Sequence, residues 1–118
     1  MKDLKERTKA FSLRIIRLAS ALPKGIAAYV IGNQVVRSGT SVGANYREAF
    51  RARSSAEFIS KMGDCLRELE ETAYWLELIE ESKLISASKL QSLRKETREL
   101  IAIFVKSINT KKKNLFNS

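Results

Sequence analysis

Arg37-Ser38-Gly39-Thr40-Ser41-Val42-Gly43-Ala44-Asn45-Tyr46-Arg47-Glu48-Ala49 reads either as a helix that opens at its glycines or as the middle of one long helix, and the helix count depends on which. Ser38 to Gly43 are weak helix formers in a row, which favours a kink or a local opening. The apolar stripe decides the matter. Ala28, Ile31, Val35, Ser38, Val42, Asn45 and Ala49 recur at steps of three and four on both sides of the glycines, so the stripe stays in phase and one helix spans about 24–53. Gly39-x-x-x-Gly43 then fits close backbone packing of helices. It lacks the Gly-Lys-Ser/Thr ending of a phosphate loop and lends little support to nucleotide binding.

Three further helices follow from the same periodicity. Leu4, Thr8, Phe11, Ile15, Leu18 and Leu22 form one seam over about 2–22, which Pro23 closes and Gly25 reverses. After Arg53, the run Ser54-Ser55-Ala56-Glu57 has the form of a capping box, in which a serine hydroxyl takes a free amide and the glutamate reaches back. It opens a helix over 55–81 with the seam Phe58, Met62, Leu66, Leu69, Ala73 and Leu76, flanked by Ile59, Cys65, Tyr74 and Ile79. Ser86 is a plausible cap for the fourth helix, about 87–109, which carries Leu90, Leu93, Thr97, Leu100, Ile101, Phe104 and Ile108. Short connectors between long helices force antiparallel neighbours, so the expected fold is all-α, an up-down-up-down four-helix bundle. Residues 110–118, with Lys111-Lys112-Lys113, form a polar basic tail expected to fray.

Composition narrows the chemistry. The 118 residues suit one domain, and 44% hydrophobic with 30% charged residues is a globular balance. The longest uncharged stretch, Gly25 to Val36, is too short for a bilayer, and the N-terminus does not look like a signal peptide, so a cytoplasmic location and no membrane contact are expected. There is no histidine, which removes Ser-His and Cys-His triads, two-histidine zinc helices and the Glu-x-x-His pairs of di-iron bundles. No metal or cofactor is expected. The single cysteine, Cys65, lies in an amphipathic stretch and reads as a buried, inert thiol.

Two features exceed what a monomeric bundle needs. Leu13 and Ile16 on the first helix, and Ile26, Val30 and Val36 on the second, lie off their seams, and a second apolar face on two helices suggests a subunit interface. A polar line through the second helix, Gln34, Arg37, Ser38, Ser41, Asn45 and Glu48, follows steps of three and four. It is expected to form a structural network with Glu68 and Glu71 of the third helix; a ligand pocket built from the same groups is the sharper alternative.

The run from Gln34 to Ala49, followed by Ala56-Glu57-Phe58-Ile59-Ser60-Lys61-Met62 and by Glu68-Leu69-Glu70-Glu71-Thr72-Ala73-Tyr74-Trp75-Leu76, closely resembles a bacterial four-helix-bundle family. That family was first noted as proteins encoded by intervening sequences within 23S ribosomal RNA genes. Its more distant relatives include the accessory variability proteins of diversity-generating retroelements. The resemblance runs from Phe11 and Leu22-Pro23 into the fourth helix. It implies a bundle assembling into a homopentameric ring with no known catalytic activity. In the retroelement relatives it implies a basic surface that binds nucleic acid and a partner reverse transcriptase.

Charge bears on the choice of partner. Twenty-two basic residues face 13 acidic ones, a net of +9. By segment the balance is +5 for 1–24, +3 for 25–53, −6 for 54–82 and +7 for 83–118. In an antiparallel bundle the first and fourth helices are neighbours. Lys2, Lys5, Lys9, Arg14 and Arg17 are therefore candidates to share a nucleic-acid-binding surface with Arg94, Lys95, Arg98, Lys106, Lys111, Lys112 and Lys113. No aromatic-rich stacking platform accompanies these cations, since Tyr74 and Trp75 sit in the acidic segment while Phe11 and Phe104 belong to seams. Three function classes remain: a non-enzymatic oligomer binding RNA or DNA, a scaffold docking an acidic protein such as a reverse transcriptase, and, last, an enzyme using Glu48, Glu68, Glu71 and Arg37.

Overall fold

Caps and turns set where each helix begins and ends. The structure, a computed structural model, describes residues 3–117. Over them run α1 (Leu4–Ser20), α2 (Ile26–Phe50), α3 (Ser55–Glu81) and α4 (Ala87–Asn117), with no strand among the described residues. Asp3 caps α1 by accepting the Glu6 N–H at 3.0 Å. The helix stops at Ser20, two residues short of the expected end. Gly25, at φ 152°, leads into α2, so that helix starts at Ile26 and not at Lys24. It runs unbroken through Ser38 to Gly43 and ends at Phe50, three residues before the expected boundary.

The capping box at the start of α3 forms with one shift. Glu57 donates its N–H to Ser54 Oγ at 3.1 Å, while its carboxylate takes the Arg53 N–H at 3.3 Å. The far end of α3 closes in a Schellman motif: Lys83 N–H donates to the Glu80 carbonyl and Leu84 N–H to the Ile79 carbonyl. This places Lys83 at φ 61°, a left-handed conformation for a non-glycine residue.

Consecutive helices pack side by side and α1 meets α4 only lightly, giving the up-down-up-down bundle. Phe11, Ile15, Val35, Val42, Met62, Leu69, Leu76, Leu90, Leu100 and Phe104 fill its centre. Along α3 the fully buried line is Met62, Cys65, Leu69, Thr72, Leu76 and Ile79, while Phe58 and Leu66 are half-buried. That line shares Met62, Leu69 and Leu76 with the expected seam, with Cys65 and Thr72 buried in place of Leu66 and Ala73. The buried hydroxyls are all accommodated: Thr8 donates to the Leu4 carbonyl at 2.7 Å and Thr97 to Leu93 at 2.8 Å. Among the described residues no buried side-chain N or O lacks a partner.

The glycines of α2 face α1. A Cβ on Gly39 would fall 2.8 Å from both Cγ1 and Cγ2 of buried Ile15, and one on Gly43 would touch Thr8 Oγ1 at 3.4 Å. Ser12 Oγ donates to the Gly39 carbonyl at 3.3 Å across the same contact. The small residues therefore let two backbones approach.

The largest departure from expectation is at the C-terminus. Residues 110–117 continue α4 and do not fray from 109. Nothing between Thr110 and Asn117 breaks a helix, lysines suit the negative pole of a helix end, and Lys111 Nζ sits 5.6 Å above the Phe58 ring. At 31 residues α4 is about 46 Å long, nearly the 53 Å of the whole rod. The 17-residue α1 covers only about half of that length.

These contacts and turns set the outcome of three substitutions. Gly39→Ala forces Ile15 aside and lowers stability by about 1–2 kcal/mol in urea unfolding, despite alanine's better helix propensity. Gly63→Ala, whose Cβ meets nothing within 4 Å, raises it by up to about 1 kcal/mol. Lys83→Gly relieves the left-handed strain and raises stability by about 1 kcal/mol in the same assay.

Candidate nucleic-acid interface

The polar line of α2 resolves into a compact network on the α2–α3 seam and two residues outside it. Arg37 is the hub. Its Nε donates to Gln34 Oε1 at 3.2 Å, its Nη1 to Glu68 Oε2 at 3.2 Å, and its Nη2 to Glu71 Oε1. Trp75 Nε1 adds a donor to Glu71 at 3.3 Å, and Ser41 Oγ donates to the Arg37 carbonyl at 2.6 Å. Beneath it, in the core, Thr72 Oγ1 lies 2.8 Å from both Ser38 Oγ and the Glu68 carbonyl. Hydrogen bonding from Arg37 holds the Glu71 carboxyl below its ordinary range, and the same bond raises the Arg37 guanidinium.

Glu48 lies apart, paired with Lys61 at 3.4 Å, and among the described residues the Asn45 side chain has no hydrogen-bond partner. Thr72 and Trp75 were not foreseen in this network. Each lies a multiple of three or four residues from Glu68 or Glu71, and that spacing is the signal that could have found them.

The candidate cations do not share one surface. Lys2 lies outside the described residues. Between α1 and α4 the seam is closed by pairs: Arg7 binds Glu96 through Nε at 2.9 Å and Nη2 at 2.7 Å, and also reaches Glu99 at 3.4 Å. Hydrogen bonding to Glu96 raises the Arg7 guanidinium. Arg14 donates to Ser92 Oγ at 2.9 Å, and Arg94 pairs with Glu80 at 2.8 Å. Arg17, Lys95 and Arg98 are exposed along the outside.

With Arg7 level with Glu96 and Glu99, Lys106 and Lys111 to Lys113 project past the start of α1. Lys5 turns the other way, towards α2, where it lines a recess of about 50 Å³ with Tyr46, Arg47, Phe50 and Arg51. Lys9 is exposed one turn further along. The antiparallel topology thus gathers cations at one end of the rod, where α1 and α3 begin and α2 and α4 finish. Arg47, Arg51 and Arg53, absent from the sequence expectation, belong to it. Exposed Glu77 and Glu81, with Glu80, lie at the far end of α3.

Of the off-seam apolar residues, Leu13, Ile16, Ile26 and Val30 are exposed, Ile26 to 87%. Val36 is half-buried and packs against the core. Tyr29, 71% exposed, adds to them, and with Ile16 and Val36 it lines an open depression of about 590 Å³ at the α1–α2 turn. Cys65 is buried 3.5 Å from the Val42 carbonyl, and burial pushes its thiol up to about 12, so it is no nucleophile at neutral pH. Among the described residues no group of three or more Cys, Asp or Glu could hold a metal, and no helix is long and apolar enough to cross a membrane.

These features define a four-helix bundle with a structural polar seam and one strongly basic end. The family model of the 23S rRNA-intervening sequence protein matches residues 2–106, and the chain belongs to that family. It is similar to a protein of unknown function from the S23 ribosomal protein family of Bacteroides thetaiotaomicron, whose crystal structure superposes with a TM-score of 0.85 at 36% identity. That match covers 90% of this chain and 98% of the other. No curated protein matches the chain.

The network titrates in one direction. With the Glu71 pKa lowered in the folded state, its contribution to stability is complete above the ordinary glutamate value of 4.5 and is lost as pH falls through the lowered one. Arg37→Ala is expected to cost about 1 kcal/mol at pH 7, a modest sum because Arg37 is half-exposed. Glu71→Gln is expected to flatten the acid limb of the stability–pH curve below 4.5, measured by urea unfolding from pH 7 to 3.

Proposed function

We propose that this chain is a non-enzymatic, oligomeric, cytoplasmic protein that binds nucleic acid through the basic end of its bundle. The observation that carries the reading is the density of cations at that end. Among the described residues Lys5, Arg47, Arg51, Arg53, Lys106, Lys112 and Lys113 are exposed there and form no ion pair, while the other exposed unpaired cations, Arg17, Lys24, Lys83, Lys89, Lys95 and Arg98 among them, are spread along the remainder of the rod. Free cations at spacings set by rigid helices suit a phosphate backbone, and such contacts position a polyanion without reading its bases. The binding surface thereby shifts from the sides of α1 and α4 to the end of the rod, where Lys5 and the last lysines of α4 are joined by Arg47 and Arg51 of the α2 end. The exposed Leu13, Ile16, Ile26, Tyr29 and Val30 support self-association, and the homopentameric ring implied by the family resemblance is the assembly proposed.

A second reading, an adaptor for an acidic protein such as a reverse transcriptase, is favoured by one feature. A groove of about 430 Å³ between α3 and α4 has Phe58 and Ile103 on its floor and Lys106 and Lys111 at its rim, a fit for an acidic amphipathic segment.

Anisotropy titrations with RNA and DNA duplexes and single strands test the main reading. Between 50 and 200 mM salt affinity should fall about five-hundredfold for duplexes and about a hundredfold for single strands if roughly five phosphates are contacted. A Lys106→Ala, Lys112→Ala, Lys113→Ala variant should bind more weakly with a shallower salt slope. Absence of binding to any of these at low salt refutes the reading, and sedimentation of the free chain as a monomer refutes the oligomer.

A further inference from the structure

Phe50 is the last residue of α2, and 72% of its surface is open to solvent. A phenylalanine so exposed beside a charged cluster contributes nothing to the core, which ends one residue earlier at buried Ala49. Its surroundings are specific. Lys5, Arg47 and Arg51 line the same small recess, and among the described residues none of the three is paired with a carboxylate. At about 50 Å³ the recess holds a water or a phosphate oxygen but no base. Asp3 lies close enough to act electrostatically on Tyr46, but its carboxylate is committed to the α1 cap. The ring is thus an exposed aromatic surface that shares a recess with three cations.

That combination differs from a bare basic patch. Cations alone hold any polyanion, duplex or single-stranded, because both present phosphates. An aromatic face among them adds a surface on which an unpaired base stacks, worth about 1–3 kcal/mol per base and indifferent to its identity. A base inside a duplex is already stacked and cannot use it.

Resting on the reading of the basic end as a nucleic-acid surface, we infer that Phe50 is a stacking site for an unpaired nucleobase, with Lys5, Arg47 and Arg51 holding the flanking phosphates. The chain therefore prefers single-stranded over duplex nucleic acid. The chemistry is common to RNA and DNA.

The test uses the full chain, with 12-nucleotide single strands and 12-base-pair duplexes of mixed sequence, as RNA and as DNA, in 50 mM salt. The wild type should bind single strands more tightly than duplexes. Phe50→Ala and Phe50→Leu should each lose roughly tenfold in single-strand affinity with duplex affinity unchanged, and Phe50→Trp should restore it. A 2-aminopurine placed in the strand should be quenched by the wild type and not by Phe50→Ala. Equal loss with both ligand forms, no loss, or loss accompanied by a change in sedimentation mass would overturn the stacking site and leave the basic end as a phosphate surface. If Lys5, Arg47 and Arg51 replaced by alanine also bind like the wild type, these cations are not the phosphate contacts and the site falls with them. Failure of the wild type to bind any of the four ligands overturns this inference and the proposed function together.

Discussion

The bundle depends on a side chain that is missing. At Gly39 the α2 backbone comes so near α1 that an added Cβ would sit within 3.1 Å of three carbons of Ile15. Ile15 is β-branched and fully buried, so it has little freedom to turn away. The close approach lets Ser12 reach the Gly39 carbonyl and sets the depth at which Phe11, Ile15 and Val42 meet the other helices. The other side of α2 is tied by the opposite means, Arg37 to Glu68 and Glu71, with Thr72 and Ser38 below. One helix is thus held on one flank by contact and on the other by charge. Between them the two fix its rotation, and with it the direction of every residue off its stripe, Phe50 and Arg47 included.

The four helices and most of their inward positions were legible because apolar spacing reports burial directly. In α4, Leu90, Leu93, Thr97, Leu100, Phe104 and Ile108 are buried as expected. In α3 Met62, Leu69 and Leu76 are buried as expected, but Cys65 and Thr72 are buried in place of their neighbours Leu66 and Ala73, and the fully buried line runs on to Ile79, because the two helices packed on α3 cover a stripe that is wider than one seam. The tail after Asn109 was misread because polarity resembles fraying. What governs it is the absence of a breaker and the support of α3 beneath Lys111.

The candidate site was legible in part. Arg37 could be matched to Glu68 and Glu71 because helical spacing places all three on facing stripes. Asn45 and Glu48 continue the same stripe on paper, but neither joins the Arg37 network. The grouping of cations was beyond a segment-by-segment charge count, since Lys5 and Arg47 are 42 positions apart and meet only through the α1–α2 hairpin. Phe50 carried a signal that was passed over: an aromatic one step off a stripe ending at Ala49, with arginines at 47, 51 and 53.

Lys106 and Lys111 to Lys113 lie at one end of a rod 53 Å long, whereas at the other Glu77, Glu80 and Glu81 offset Lys83 and Lys89, so the chain's positive charge is weighted towards one end of its axis. The field of a polyanion exerts a torque on a charge so weighted over distances of about a Debye length, roughly 10 Å at 0.1 M salt. A free chain approaching such a polymer would be turned positive end first before any contact formed, so the charge would act on the geometry of encounter as well as on the strength of a bound state. In a ring that aligned these axes, the torques would add and the assembly would present one face to the polymer.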